Sequence, residues 1–244
     1  MSSVYLKGKE YKVMGNLLDL SGKNISDIRD VEDLEKLKEL EILNLSLNSI
    51  SEIDGLENLT RLKVLLLYNN QISEIKGLNS QVSLQVLNLY ENEIIDIKNL
   101  DALKQLRELY LGCNRISEIK GLESLSNLKY LNLEKNQIKE IKGLTSLKEL
   151  ILLALKWNKI NKISGLSNQY KLMRLELSYN SIIDIQGLEN LSNLINLDLR
   201  HNPVENEAIV IDPNKNVKVL VRDLGVTELI SHCRELVRKK TQYK

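Results

Sequence analysis

The apolar positions of this chain repeat with a period of 22 residues. Within each period leucines recur at spacings of three and two, and isoleucines and leucines then follow at spacings of three. A spacing of two is typical of a strand, and a spacing of three is typical of a tight 3₁₀-like segment. The pattern predicts stacked units of a strand, a turn and a short return. The first leucines of the eight regular units are Leu40, Leu62, Leu84, Leu106, Leu128, Leu150, Leu172 and Leu194.

Asparagine and glycine also recur in the repeat. We interpret the asparagines that end the strands as a buried ladder whose amides satisfy backbone groups of neighbouring coils. The glycines indicate turns with positive φ or close packing between coils, and Asn99, which replaces one of them, favours this interpretation over a phosphate loop. The asparagines are Asn48, Asn70, Asn92, Asn114, Asn136, Asn158, Asn180 and Asn202, and the glycines are Gly55, Gly77, Gly121, Gly143, Gly165 and Gly187.

The predicted fold class is an α/β repeat solenoid, a curved arc with a parallel sheet on its concave side and short 3₁₀ or irregular segments on its convex side. We expect a single domain over residues 1–244, with an N-terminal cap at 1–15, nine repeats at 16–204 and a C-terminal cap at 205–244. The N-terminal cap is expected to be a hairpin around Gly8. Three extra residues between Asp33 and Leu40 predict an added helical turn in the first repeat. After Pro203 breaks the period, we expect a strand at 217–221 and a capping helix at about 227–240.

The consensus LxxLxLxxNxIxxIxGLxxL over residues 16–204 resembles the 22-residue class of leucine-rich repeats, typified by the regulatory subunit of type-1 protein phosphatase. That resemblance implies recognition of a protein by concave aromatic and acidic residues, and Tyr68, Tyr90, Glu134 and Trp157 are of the right type. Gly112, Lys156 and Arg200 depart from that pattern. The internalins of bacterial surfaces share the period, but they usually carry proline where this chain has glycine and begin with a secretion signal, and neither feature is found here.

Composition excludes several other classes of protein. The formal net charge of +1 provides no field for a phosphate backbone, so we expect no nucleic acid partner. No run approaches the ~18 apolar residues of a membrane helix, and the first residues lack the apolar core of a signal peptide. The two cysteines are too few for disulfide-capped ends. We therefore expect a cytoplasmic protein without a membrane partner and with reduced thiols.

The sequence offers no catalytic constellation. The most reactive pair on one face is Cys113 with His201, but four repeats separate them by ~19 Å at one strand spacing each. A nucleophile and its base must approach within ~3 Å. No His/Cys cluster has the spacing of a metal site. We expect no enzyme activity, no cofactor and no metal.

The outward positions of the strands are the candidate functional surface. Aromatic and apolar residues are frequent there, and an exposed apolar stripe with tyrosine and tryptophan is typical of a binding surface. Strand propensity alone is the alternative explanation. Early strands are apolar and later ones polar, which predicts an anchor with a polar rim along a trough of ~38 Å. The candidate partner-binding residues are Leu47, Leu66, Tyr68, Val86, Tyr90, Tyr110, Tyr130, Glu134, Trp157 and Tyr179.

These observations favour a non-catalytic protein–protein interaction scaffold that binds a protein partner on its concave face. Two alternatives stay open at this point. One is a regulatory subunit of a protein phosphatase, which follows from the repeat class. The other is a structural or self-associating repeat protein, although we expect a monomer rather than a homo-oligomer.

Overall fold

The computed structural model describes residues 2–183, 185–188, 190–204 and 218–220. These residues form a two-stranded antiparallel hairpin followed by a parallel sheet of ten strands in sequential order. The hairpin strands are β1 (Ser3–Leu6) and β2 (Lys9–Lys12). The parallel strands are β3 (Leu17–Asp19), β4 (Ile42–Asn44), β5 (Val64–Leu66), β6 (Val86–Asn88), β7 (Glu108–Tyr110), β8 (Tyr130–Asn132), β9 (Leu152–Ala154), β10 (Arg174–Glu176), β11 (Asn196–Asp198) and β12 (Lys218–Leu220).

The repeated leucines and isoleucines fill one continuous core behind the parallel sheet. Leu109, at the centre of β7, and Leu111, directly after it, are fully buried, and Ile116 and Ile119 of the return segment are buried with them. The same cluster extends from Val4 to Leu199. Because adjacent strands pair in register 22 residues apart, equivalent leucines of successive coils stack on one another. The repeat prediction is confirmed.

The asparagine ladder forms as expected. Asn114 accepts a hydrogen bond on Oδ1 from the N–H of Ile94, 2.9 Å away, and its Nδ2 donates to the carbonyls of Leu89, Leu111 and Gly112 at 3.0–3.1 Å. Each asparagine thereby satisfies backbone groups of its own coil and of the preceding coil, where the chain bends away from the sheet.

The glycine column meets both expected requirements. Gly77 has a φ of +71°, and a Cβ on this residue would lie 2.1 Å from the carbonyl oxygen of Ile53 in the preceding coil. Asn99, which stands in a glycine position, has a φ of 59°. Its Nδ2 donates to the carbonyl of Ile75 at 2.8 Å. The substitution is tolerated because its side chain bonds the carbonyl of the preceding coil.

The hairpin and the first repeat pack together at the N-terminal end. Val4 and Leu6 of β1 are buried in the common core, and Tyr5 and Glu32 exchange two backbone hydrogen bonds of 3.1 and 2.8 Å. The first repeat contains two 3₁₀ helices, Ile28–Asp30 and Leu34–Lys36. The second lies where the added turn was predicted. In the regular repeats the described return segments contain turns but no 3₁₀ helices, which is the irregular form of the predicted convex segment.

Some sequence predictions concern residues outside this description. The capping helix predicted at about 227–240 lies wholly outside the described residues, whereas β12 falls within the strand predicted at 217–221. No helix in the described part of the chain is long and apolar enough to cross a membrane.

The core contains two glutamines, Gln81 and Gln169, that the sequence analysis did not predict. They occupy positions that are leucine in most other coils, and each donates from Nε2 to a leucine carbonyl of the preceding coil at 2.7 Å.

Candidate partner-binding site

The candidate residues lie in four columns that run across the strands on the concave face. No candidate is buried in the core, and Leu47, Trp157 and Tyr179 are exposed. The expected single aromatic stripe is not what the structure shows, because the rings occupy different positions along their strands. The first column contains Val86 and Tyr130; the second, Leu66 and Tyr110; the third, Tyr68, Tyr90 and Glu134; and the fourth, Leu47, Trp157 and Tyr179.

An apolar patch covers the concave side of β4, β5 and β6. We define it by Ile42, Leu47, Val64, Leu66, Tyr68 and Val86. Ile42, Val64 and Val86 are direct neighbours in the strand register. Leu47 is 49% exposed and the other five side chains are half-buried. The Tyr68 hydroxyl has no hydrogen-bond partner among the described residues, so this patch presents apolar surface and one free hydroxyl.

Tyr90 closes the patch on its C-terminal side. A Cβ on Gly112 would lie 2.6 Å from Cε2 of Tyr90, so the tyrosine ring lies over this glycine. The Tyr90 hydroxyl thereby reaches two strands along the sheet and donates to Glu134 Oε1 at 3.2 Å, while it accepts from the Cys113 thiol at 2.9 Å. Burial, with further contributions from Cys113 and Glu134, raises the pKa of Tyr90 well above its usual range. Its hydroxyl is engaged inside the protein.

Tyr110 is also engaged within the face. Its hydroxyl donates to Glu108 Oε2 at 2.7 Å. Burial and this hydrogen bond to a carboxylate raise the pKa of Tyr110 to about 12. Tyr90 and Tyr110 therefore present ring surface to a partner while their hydroxyls are held by neighbouring carboxylates.

An ion-pair chain crosses the C-terminal half of the concave face. Lys156 Nζ lies 3.3 Å from a carboxylate oxygen of Glu134 and 3.1 Å from one of Glu176, and Glu176 also pairs with Arg174 Nε at 3.3 Å. Burial opposes the charge on Lys156, but its two carboxylate partners outweigh that effect and raise its pKa. These four residues, which we call the ion-pair chain, carry two positive and two negative charges, and Arg174 at the end of the chain is exposed.

Asp198 and Arg200 form a second charged pair beside this chain. Arg200 Nε donates to Asp198 Oδ1 at 2.9 Å, and Nη2 donates to Oδ2 at the same distance. Burial alone would raise the pKa of Asp198, but hydrogen bonds from Arg200 and Ser178 outweigh it and lower the pKa. The carboxylate therefore stays charged in the folded protein.

Three aromatic side chains stack at the strand-end edge of the face. The Trp157 and Tyr179 rings lie 3.8 Å apart and 7° from parallel, and the Tyr179 and His201 rings lie 4.0 Å apart at 20°. The side chains share an orientation because their backbones are all left-handed, with φ of 56–57°. Every residue of this column from Leu47 to His201 has positive φ. Sequence inspection did not anticipate that conformation, because only one of these positions is an asparagine.

Two relationships in the face were missed at the sequence level. The first is the contact between Tyr90 and Gly112, which occupy the same column in adjacent repeats. A large ring next to a glycine in one column was the sequence feature that could have predicted this contact. The second is the ion-pair chain, for which the alternation of Glu134 and Lys156 in one column was the signal. Both appear only when the repeats are compared position by position.

The described residues contain no group of three or more His, Cys, Asp or Glu side chains arranged to hold a metal ion. Cys113 bonds with Tyr90, and His201 stacks on Tyr179. The two residues considered as a catalytic pair thus have separate partners.

Comparison with known proteins identifies the repeat. Family models described as "Leucine Rich repeats (2 copies)" match residues 38–80 and 82–124, and one described as "Leucine rich repeat" matches 104–160. No curated protein matches the sequence significantly. This chain belongs to the leucine-rich-repeat proteins.

Solved structures give the same family. An internalin (inlF) of Listeria monocytogenes superposes with a TM-score of 0.71 at 27% identity, over 89% of this chain and 71% of that one. Internalin C2 of the same organism gives 0.68 at 33% identity, over 73% and 78%. The ectodomain of the Arabidopsis thaliana membrane receptor kinase GASSHO1/SCHENGEN3, solved in complex with CASPARIAN STRIP INTEGRITY FACTOR 2, gives 0.60 at 28% identity, over 69% and 22%. The narrower resemblance to a phosphatase regulatory subunit receives no support from these comparisons.

Proposed function

We propose that this protein is a non-catalytic interaction module that binds a protein partner on its concave face, with the apolar patch on β4 to β6 as the anchor. The observation that carries the proposal is a group of six apolar or aromatic side chains on three adjacent strands that present surface outward instead of filling the core. Partly exposed apolar surface of this kind is stabilised when a partner covers it, and tyrosine is enriched among residues that dominate binding energy.

The rest of the face is suited to a rim. Its charged side chains largely satisfy one another through the ion-pair chain and the Asp198–Arg200 pair. A partner gains little from charges that are already paired, but such charges favour the correct orientation. Among the remaining candidates, Tyr130, Trp157 and Tyr179 add aromatic surface beside this rim.

Family membership supports the same proposal. Leucine-rich-repeat proteins generally mediate protein–protein interaction, and the plant receptor ectodomain was solved in complex with a named factor. The identity of a partner for this chain is not carried over from that complex.

The repeat supplies a matched way to test the anchor. Leu66 has asparagine at the equivalent position of both adjacent strands, Asn44 and Asn88, and Tyr68 has Ser46 in the preceding repeat. The double variant Leu66→Asn, Tyr68→Ser therefore removes the centre of the patch with side chains that this sheet already accommodates. We expect it to weaken capture of a partner from native lysate by at least tenfold, since anchor residues contribute ~1–4 kcal/mol.

Two controls make this result decisive. Glu118→Ala changes the convex side, and Tyr179→Asn introduces the residue found at the equivalent position 69; both should retain more binding than the patch variant. A greater loss of partner binding from Glu118→Ala than from the patch variant would place the interface on the convex side.

Light scattering over a concentration series tests the self-associating alternative. Concentration-dependent dimers that the patch variant abolishes would show that a second copy covers the anchor.

A further inference from the structure

A second apolar surface lies on the flank of the solenoid, where the strands begin. The residues immediately before strands β4 to β11 form a column whose first five members are polar: Glu41, Lys63, Gln85, Arg107 and Lys129. The next three are Ile151, Met173 and Ile195. Met173 is 41% exposed and Ile195 is 46% exposed. The column therefore changes from charged or polar to apolar over the last three repeats, although its position in the fold is the same.

These three residues line a groove. Its volume is about 510 Å³, and Lys171, Ser192 and Asn193 also contribute to its walls. Lys171 pairs with Glu149 at 2.7 Å. Apolar side chains form most of the accessible lining, so burying an apolar group in the groove would remove water from both surfaces.

Two side chains with hydrogen-bond donors lie directly beside this groove. Arg174 and Asn196 each follow a groove residue in the chain, and they are paired in register across β10 and β11. Arg174 contacts Glu176 through Nε at 3.3 Å, and its two Nη groups donate no hydrogen bond to the described part of the chain. The Asn196 side-chain amide likewise bonds to none of the described residues. Both side chains line an adjoining cavity of about 230 Å³, whose charged lining consists of three cations and two carboxylates: Lys156, Arg174, Arg200, Glu176 and Asp198.

We propose that this groove binds a peptide segment of another protein that carries a large apolar side chain next to a carboxylate. The apolar side chain occupies the groove between Met173 and Ile195, and the carboxylate accepts hydrogen bonds from the Nη groups of Arg174 and from Asn196. A planar guanidinium matches a carboxylate in a bidentate geometry. Arg174 directly follows Met173 in the chain, so a bound segment with an apolar side chain in the groove has its nearby residues beside Arg174.

This surface is separate from the apolar patch. The patch lies on β4 to β6, whereas the groove lies before β9 to β11 and carries a positive group that the patch lacks. Its acidic and apolar ligand preference is an additional binding property of the scaffold. Loss of one site should leave the other intact.

The test uses the full chain and three labelled ten-residue peptides, alternating Leu with Asp, Leu with Lys, and Ser with Asp. Fluorescence anisotropy should show that the Leu/Asp peptide binds at least tenfold more tightly than the other two. Arg174→Gln and Met173→Gln should each reduce its affinity at least fivefold; glutamine already occupies the Met173 position in another repeat, as Gln85. Arg107→Gln, which removes the same charge from the flank of an earlier repeat, should change affinity less than twofold.

Other outcomes would overturn the proposal. Equal binding of the Leu/Lys peptide would show non-specific apolar adsorption, and binding unaffected by Arg174→Gln and Met173→Gln would place the peptide elsewhere. Failure of all three peptides to bind would show that the groove does not accept such a segment. Mass-spectrometric measurement of thiol alkylation in the Ile195→Cys variant distinguishes an open groove, which reacts rapidly, from one covered by this chain itself. Dimers that Met173→Gln dissociates would instead assign the groove to a second copy.

Discussion

The two halves of the concave face use the same backbone for different purposes. On β4 to β6 the outward side chains are mainly aliphatic, and the Tyr68 hydroxyl is unbonded among the described residues. On β8 to β11 the outward carboxylates and cations bind one another, from Glu134 through Lys156 to Glu176 and Arg174. Tyr90 connects the two halves by lying over Gly112 and bonding Glu134. The same coil can therefore present either partly exposed apolar side chains or charged side chains that pair with one another, depending on the residues in the four columns.

The scaffold beneath both halves should respond identically to loss of the asparagine ladder. Asn114→Ala and Asn158→Ala should each lower the free energy of unfolding by ~1–3 kcal/mol, because each leaves buried backbone groups without partners. Asn158 makes the same contacts, accepting from Ile138 N–H at 2.9 Å and donating to Leu133 O at 2.9 Å. Urea denaturation measures both losses. An unchanged midpoint in either variant would contradict a structural role for that residue.

At the boundary between the halves, Gly112→Ala should destabilise the protein by ~1–3 kcal/mol, because the new methyl group would overlap the Tyr90 ring. Urea denaturation measures this cost. In a Tyr90→Ala background the overlap with the ring disappears and only the contact with Asn132 Oδ1 at 2.9 Å remains, so the same substitution should cost less. Equal costs in the two backgrounds would show that Tyr90 does not lie over Gly112.

Removing single hydroxyls should distinguish the engaged tyrosine from the available one. Tyr90→Phe should cost ~0.5–1.5 kcal/mol through loss of its hydrogen bonds to Glu134 and Cys113. Tyr68→Phe should change stability by less than about 0.5 kcal/mol, as expected for a surface substitution without a lost contact. Thermal unfolding compares the pair under matched conditions. A larger loss for Tyr68→Phe would reverse the assignment of the two hydroxyls.

The smallest effect is expected in the polar half. Lys156→Met should cost at most about 1 kcal/mol, since water and salt screen a partly exposed ion pair. Because the pKa of Lys156 is raised in the folded state, its contribution is complete below the ordinary lysine pKa and is lost as pH rises through the raised value. Urea denaturation at pH 7 and at a pH above the raised pKa of Lys156 should show the difference between parent and variant shrinking. A difference that grows at alkaline pH would contradict the pairing.

Sequence alone predicted the repeat, its core and its backbone constraints, because these follow from residue types at a fixed period. Asn114 and Gly77 perform the expected tasks in three dimensions. The arrangement of the candidate site was less predictable, since it depends on which column a side chain occupies and on the direction in which that side chain points from the backbone. Tyr90 and Trp157 both belong to the concave face, yet one spans two strands while the other stacks with Tyr179 in a left-handed column.

Hydrogen–deuterium exchange of the full chain, with and without its captured partner, tests the central claim most directly. If the apolar patch is the anchor, the partner should slow exchange most strongly in residues 42–47, 64–69 and 86–91, and the Leu66→Asn, Tyr68→Ser variant should lose that protection. Protection confined to the convex return segments, with the strands unchanged, would contradict the account.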